Sequence, residues 1–481
     1  MNFVSFEFSV FLLCFLIFQI PLRGRPALYR HFLLLANLVF YARAGLIFVP
    51  LLAFTAFIVW LASLAMDHFA AGGFQQRRKF LLAASLFICL ASLAFFKYGE
   101  MIFFAFGGFF SSAPGFSFSL TPGEWGFPAG ISFYTFQAIA FLVERYKTPC
   151  RTAAANGESY LGVLTYLSFF PTVMAGPILR PDRFFPQLEY RRTRFRLHRG
   201  FLLILSGLLK KVVIASYLSE YAVREVFQTP ELFSSFAVLG SVYAYAVQIY
   251  CDFSGYTDLA LGIGCLIGFE LPRNFDAPYL SASIRDFWKR WHISLSSWLR
   301  DYLYIPLGGS RRGNRYFNLF VTMVLGGLWH GAHPRYLVWG VLHGGALALN
   351  HGWAALRARR KTAEERRENG PLLRFLSAAA VFHFVCFAWI FFRAEDMAAS
   401  FAVILRIGAL DGKGGLLPLL AWPAMIAGFI LQWAGPPAFR QIMLASRRIP
   451  WPLFAILCAL VAGFILRMGP EGVMPFIYFS Y

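Results

Sequence analysis

Long apolar runs recur along almost the whole chain, separated by short polar or basic connections. They cover Phe3–Ile20, Tyr29–Met66, Phe80–Phe96, Gly126–Val143, Phe201–Leu218, Leu232–Tyr250, Phe375–Phe392, Leu416–Trp433 and Trp451–Leu466. About 20 apolar residues in a helix cross a hydrocarbon core of about 30 Å, so these runs predict membrane-spanning helices. With the less continuous central segments, the pattern predicts an all-α polytopic membrane protein of roughly 10 to 12 transmembrane and re-entrant helices. Phe3–Ile20 reads as a retained first helix rather than a signal peptide. No basic residue precedes it, and Arg23, Arg25 and Arg30 follow it.

One apolar stretch, from Phe317 to Asn350, does not fit a single span. As one helix its roughly 34 residues would reach about 50 Å, well beyond the hydrocarbon core. Gly331 and Pro334 interrupt it, which predicts two half-length helices meeting around Trp329–Pro334. His330 stands at that break. An ionisable side chain among membrane helices is a functional-site hypothesis by default, and irregular backbone there needs a cavity or a protein environment. If Gly331 ends the first helix, the carbonyl end of its dipole favours the imidazolium formed when His330 takes a proton. His330 is therefore the candidate catalytic base.

Composition supports the membrane reading and charge refines it. The chain of 481 residues is 58% hydrophobic and 14% charged, with a mean hydropathy of +0.58; a soluble domain carries about 25% charge. A net charge of +20 would suit nucleic acid, but its distribution does not. The basic residues cluster in short connections: Arg77–Lys79, Arg145–Arg151, Arg191–Arg199, Arg357–Lys361 with Arg366 and Arg367, and Arg440–Arg448. That is the positive-inside pattern, and it predicts cytoplasmic loops there, an external loop around Ser111–Glu124 and an extracytoplasmic N-terminus. The lipid bilayer is the partner this charge implies, and nucleic acid is not. The seven cysteines, without a CxxC pair, read mainly as buried small hydrophobes. Cys150 alone sits in a basic connection, where lipidation is the alternative to that reading.

No internal repeat is visible, and no polar segment is long enough for a soluble domain. The chain reads as one integral-membrane domain over 1–481. Within it, 1–125 are peripheral spans, 130–350 a polar-enriched core that carries the chemistry, and 351–481 C-terminal spans.

Three core blocks concentrate polar and aromatic residues. Gln248–Asp258 places Asp252 and Asp258 among Tyr250, Ser254, Tyr256 and Thr257. Those acids suit helix capping, a bound cation or a partner arginine held in place. The block from Leu271 to Tyr302 includes Trp288, Trp291, Leu295, Trp298 and Tyr302, which share one face at helical spacing. On such a helix an interfacial aromatic belt and a structural His292 are the simplest reading, while Lys289, Arg290 and Arg300 offer phosphate contacts. The third block holds Trp329, His330, His333 and His343. No carboxylate or cysteine lies near these histidines in sequence, so packing or hydrogen bonding suits His333 and His343 better than a metal site.

Together these blocks resemble the membrane-bound O-acyltransferase superfamily, and within it the bacterial alginate O-acetylase group. The resemblance is carried by SFYTFQAIAFLVERYK (132–147), FFPTVMAGPILRPDRFFPQL (169–188) and QIYCDFSGYTDLALGIG (248–264). It continues through LPRNFDAPYLSASIRDFWKRWHISLSSWLRDYLYIPLGGSRRG (271–313) and LWHGAHPRYLVWGVLHG (328–344). The RWHxSLSxW theme is shared with the relatives that move D-alanine onto teichoic acids. The resemblance implies a helical shell around a thinned centre reached by a tunnel from both faces. It maps the superfamily's essential histidine onto His330 and its second polar position onto His292.

The function this implies is acetyl transfer in a bacterial inner membrane, from cytoplasmic acetyl-CoA as a donor substrate to hydroxyls of an extracytoplasmic polysaccharide. The transfer is direct or passes through an SGNH-type partner protein, and no bound cofactor or metal is expected. His330 and His292 are the expected catalytic pair. Trp288, Trp291, Ser294, Trp298, Asp252, Tyr256 and Trp329 would line the substrate path, and Lys289, Arg290 and Arg300 would meet the donor's phosphates. D-alanyl transfer from a carrier protein and proton-coupled transport through Asp252, Asp258 and His330 are the alternatives.

Overall fold

In a computed structural model, residues 2–22, 24–110, 126–149, 159–189, 196–360 and 370–469 are described. The expected external loop at Ser111–Glu124, Cys150 and parts of three basic clusters lie outside them. Among the described residues the regular elements are all helices, with no strand, as the apolar pattern predicts. Six of their helices are long and apolar enough to cross a membrane: Pro26–Ala71, Gln75–Gly99, Leu197–Gln228, Ser235–Ile267, Pro371–Arg393 and Trp451–Met468. Phe6–Phe18 forms the expected first helix, but its 13 residues reach only about 20 Å, short of a full span.

The chain divides into two compact units. The first comprises Met1–Leu197 with Ile263–Pro272. Its interior is aromatic, with Phe169, Phe170 and Phe184 fully buried. Arg145 and Asp67 form an ion pair of 2.7 Å there, both side chains largely buried.

The second unit, His198–Gly262 with Arg273–Tyr481, contains the candidate site. Its spine is the 33-residue helix Ser235–Ile267, against which the helix beginning at Leu197 packs closely. A Cβ on Gly207 would lie 2.7 Å from the carbonyl oxygen of Gly255, so only glycine permits this approach. Beyond Gly207 the first helix widens into a π-helical turn, Leu209–Ala215. Two consecutive lysines there both reach the spine helix: Lys210 pairs with Asp258 at 2.7 Å and Lys211 with Asp252 at 2.5 Å. The two lysines thus fasten the widened turn to the spine helix at points six residues apart.

The stretch around His330 forms a helical hairpin. Asn314 accepts the amides of Tyr316 and Phe317 at 2.9 and 3.3 Å and starts the helix Arg315–His330. The second helix begins at Pro334, so the break falls where Gly331 and Pro334 predict it, but it runs on to Arg360 and its 27 residues make it a full-length arm, not the expected half-length one. The two helices touch through backbone: a Cβ on Gly327 would lie 2.3 Å from the carbonyl oxygen of Tyr336.

The segment around His292 is not the single helix its aromatic face suggests. One helix runs Ile284–Arg290 and a second Ile293–Leu299, followed by a π-helical turn Arg300–Tyr304. Trp291 and His292 form the joint between the first two. Periodicity misses this break because the capping partner is remote. Asn274 supplies it, its carbonyl accepting the Ile293 amide at 2.9 Å and its side-chain oxygen accepting the Ser294 amide at 3.1 Å.

Candidate active site

His330 is the last residue of its helix, and its ring sits in an aromatic box. Ring centroids of Trp329, Phe392 and Trp339 lie 4.7, 4.9 and 5.1 Å away. The residue is buried but faces a small cavity, which His292 lines as well. Two histidines far apart in sequence therefore share one space. The remaining walls are Trp288, Trp291, Trp339 and Trp389, with Leu295, Leu299, Met323 and Gly326. The free volume is about 10 Å³, room for about one water-sized group.

His292 reaches the cavity through an unusual backbone. Its φ of 42° lies in the left-handed region, which costs a residue other than glycine about 1 to 3 kcal/mol. The Asn274 hydrogen bonds hold that conformation on one side. On the other, Phe253 packs edge-on to the imidazole, 4.6 Å between centroids. The ring's Nε2 is buried and finds no hydrogen-bond partner among the described residues. A hydrogen-bonding atom left open beside a second histidine suits a site that completes itself with substrate.

The other expected residues are distributed around this cavity unevenly. Trp288 and Trp291 form walls. Ser294, two residues after His292, is buried with its amide donated to Asn274 and is not a cavity wall. Trp298 packs on Tyr302 at 5.3 Å and is not among the cavity walls, which on that helix are Leu295 and Leu299. Trp329 backs the His330 ring from outside the cavity. Asp252 is held by Lys211, and Tyr256 is buried one turn further along the same helix. Of the expected phosphate contacts, Lys289 is exposed, Arg290 is bound to Asp286 at 3.0 Å and to the Asp276 carbonyl at 3.3 Å, and Arg300 lies against Asp301 at 2.6 Å. Among the described residues no three His, Cys, Asp or Glu side chains gather as metal ligands would. His343 instead accepts a hydrogen bond from the Trp288 indole at 3.3 Å.

Several site residues lie outside those the sequence singles out. Lys210 and Lys211 carry a usable signal, since two charges in the middle of the apolar run Phe201–Leu218 demand partners. Trp389 and Phe392 carry none: they sit in an ordinary-looking span beyond residue 350, where an aromatic facing the site and one facing lipid look alike.

The sequence profile described as MBOAT, membrane-bound O-acyltransferase family, matches residues 143–392, more than half of the chain and all of the cavity. The chain belongs to the membrane-bound O-acyltransferase family. This O-acyltransferase is 33% identical to a Pseudomonas putida protein named probable alginate O-acetylase AlgI, across 94% of this chain and 95% of the relative. It is 31% identical to the peptidoglycan O-acetyltransferase of Helicobacter pylori across 80% of this chain and 75% of that one. It is 29% identical to the teichoic acid D-alanyltransferase of Bacillus subtilis across 55% of this chain and 68% of that one. The resemblance to the alginate O-acetylases thus extends over most of the length. With its apolar helices, family membership makes the chain a multi-pass membrane O-acyltransferase.

Proposed function

We propose that the chain transfers acetyl groups from acetyl-CoA, presented at the cytoplasmic face of a bacterial inner membrane, to hydroxyls of an extracytoplasmic polysaccharide. The transfer is direct or goes through a partner acetyltransferase of the SGNH type. The observation that carries this reading is the convergence of His330 and His292 on one narrow aromatic cavity, in a chain similar to O-acetyltransferases of two different cell-surface polymers.

The chemistry follows from those two side chains. A hydroxyl oxygen attacks the thioester carbonyl carbon while His330 removes its proton, a step worth about 10² to 10⁴ in rate. The carbonyl π electrons move onto oxygen, and an N–H of neutral His292 donates a hydrogen bond to that oxyanion. Collapse of the tetrahedral adduct breaks the C–S bond and expels the thiolate, and the imidazolium of His330 returns its proton to sulfur. Products are the ester and the free thiol. The tryptophan walls keep water away from the adduct, which strengthens the hydrogen bond from His292.

The test is thiol release from acetyl-CoA by the purified protein in nanodiscs, with an oligosaccharide acceptor supplied. Wild type should release thiol and His330→Ala should not, while remaining folded and inserted. Release unaffected by His330→Ala would overturn the assignment of the base. The similarity to the D-alanyltransferase supports a second reading, in which the donor is a D-alanyl thioester on a carrier protein. Turnover of that thioester without use of acetyl-CoA would decide for it.

A further inference from the structure

The cavity beside the two histidines has a size and a wall that bear on which acyl group is transferred. Its free volume of about 10 Å³ leaves room for about one water-sized group. Three of its tryptophans are fixed parts of the core: Trp291, Trp339 and Trp389 are each 2% exposed. Trp339 and Trp389 stack with centroids 6.0 Å apart, and Trp291 packs on Trp389 at 5.2 Å. Trp288 differs from them. It is half-buried, crosses Trp339 at 5.8 Å, and is oriented by a hydrogen bond from its indole N–H to Nδ1 of His343. His343 is fully buried and is not itself a cavity wall. It touches Trp288 from behind, with ring centroids 5.2 Å apart, and packs on Trp339 at 4.7 Å. Because Nδ1 accepts, the ring proton sits on Nε2. Among the described residues, Trp288 is the hydrogen-bond partner of the His343 ring.

We propose that Trp288, pinned by His343, is the wall that limits the transferred group to acetyl size. This rests on the reading of the His330 cavity as the acyl-transfer site. Trp288 is then a specificity-determining residue and His343 a positioning residue. Shortening Trp288 opens space beside the thioester carbon for longer acyl chains. Removing the His343 acceptor leaves the indole in place but lets it swing, with a smaller effect of the same sign.

The experiment compares thiol release from acetyl-CoA, propionyl-CoA and butyryl-CoA by the full-length protein in nanodiscs. The variants are Trp288→Ala, Trp288→Phe, His343→Leu and His343→Gln. Each methylene in a fitted apolar pocket changes selectivity about 10- to 200-fold. Trp288→Ala should therefore raise the butyryl-to-acetyl ratio about tenfold or more, with Trp288→Phe and His343→Leu between it and wild type. His343→Gln keeps an acceptor and should return toward the wild-type ratio, which a purely structural role would not produce. If Trp288→Ala fails to fold, Trp288→Phe and His343→Leu decide by the same ratio. Acetyl turnover with an unchanged ratio in the folded variants would overturn this inference alone. No turnover of any of the three donors by wild type would overturn the acetyl-CoA reading and this inference with it.

Discussion

The side-chain oxygen of Asn274 accepts the backbone amide of Ser294 at 3.1 Å, and through that bond a loop residue sets the position of His292. Asn274 is completely buried, and its own carbonyl takes the neighbouring Ile293 amide. Together they satisfy two of the free N–H groups at the start of the Ile293–Leu299 helix. Asn274→Ala removes one cap, costing about 1 kcal/mol, and loosens the joint. The predicted outcome is a small fall in melting temperature with a larger loss of thiol release. A fall in stability with unchanged turnover of the folded fraction would show that the joint does not matter to the chemistry.

His292 allows its backbone and its side chain to be tested apart. Its φ of 42° disfavours every residue but glycine, so His292→Gly should relieve strain while deleting the imidazole. The glycine variant is expected to melt above His292→Ala, because alanine keeps the unfavourable backbone and glycine does not. Both should lose most, though not all, turnover, since His330 still supplies the base. Equal loss to His330→Ala would instead assign both histidines an indispensable step. Wild-type turnover in both would remove His292 from the mechanism. Melting temperature and thiol release on the same preparations decide this.

How much of this was legible follows from where each signal resides. The break at His330 could be read because its causes are local: a glycine, a proline and a stretch too long for one bilayer. The break at His292 could not, because the aromatic spacing of Trp288, Trp291, Leu295 and Trp298 is that of a continuous helix. What interrupts it is Asn274, eighteen residues upstream. For Asp252 and Asp258 the sequence shows two buried acids and leaves their partners open. Lys210 and Lys211 answer that from the neighbouring helix, one pairing with Asp258 and the other with Asp252. Trp389 was illegible for a different reason, since lipid and a protein cavity both accept an indole.

The pair of Lys211 and Asp252 is predicted to be a structural clamp. Both side chains are almost wholly buried, at 1% and 9% exposure, and the pair fastens the widened turn to the helix that carries Phe253 against His292. Removing one partner from a buried ion pair strands a charge and costs about 3 to 5 kcal/mol, whereas removing both costs far less. Lys211→Met and Asp252→Asn should each sharply lower the amount of folded protein in membranes. The double variant Lys211→Met with Asp252→Leu should recover much of it, with turnover following the folded amount. If the double variant folds and is nevertheless inactive, Asp252 acts on substrate and not as a clamp.

Gly327 sets how closely the two arms of the His330 hairpin approach. Its Cα faces the Tyr336 carbonyl and Gly340 across the hairpin, and a Cβ would come within 2.3 Å of that oxygen and 3.0 Å of the Gly340 Cα. The obstacle is backbone on both counts, so no side-chain rotation makes room and the arms must part by about 1 Å. His330 lies three residues further along the same helix, and Trp339 lies on the opposing arm. Any separation therefore widens the box around the imidazole. Gly327→Ala is expected to insert and fold with reduced thermal stability and to lose turnover about 10²-fold, the scale of loss that a displacement near 1 Å produces in an oriented site. Gly345→Ala serves as the control, because a Cβ there meets nothing within 4 Å. It should retain wild-type stability and turnover. If Gly327→Ala does the same, the backbone contact is not what positions His330.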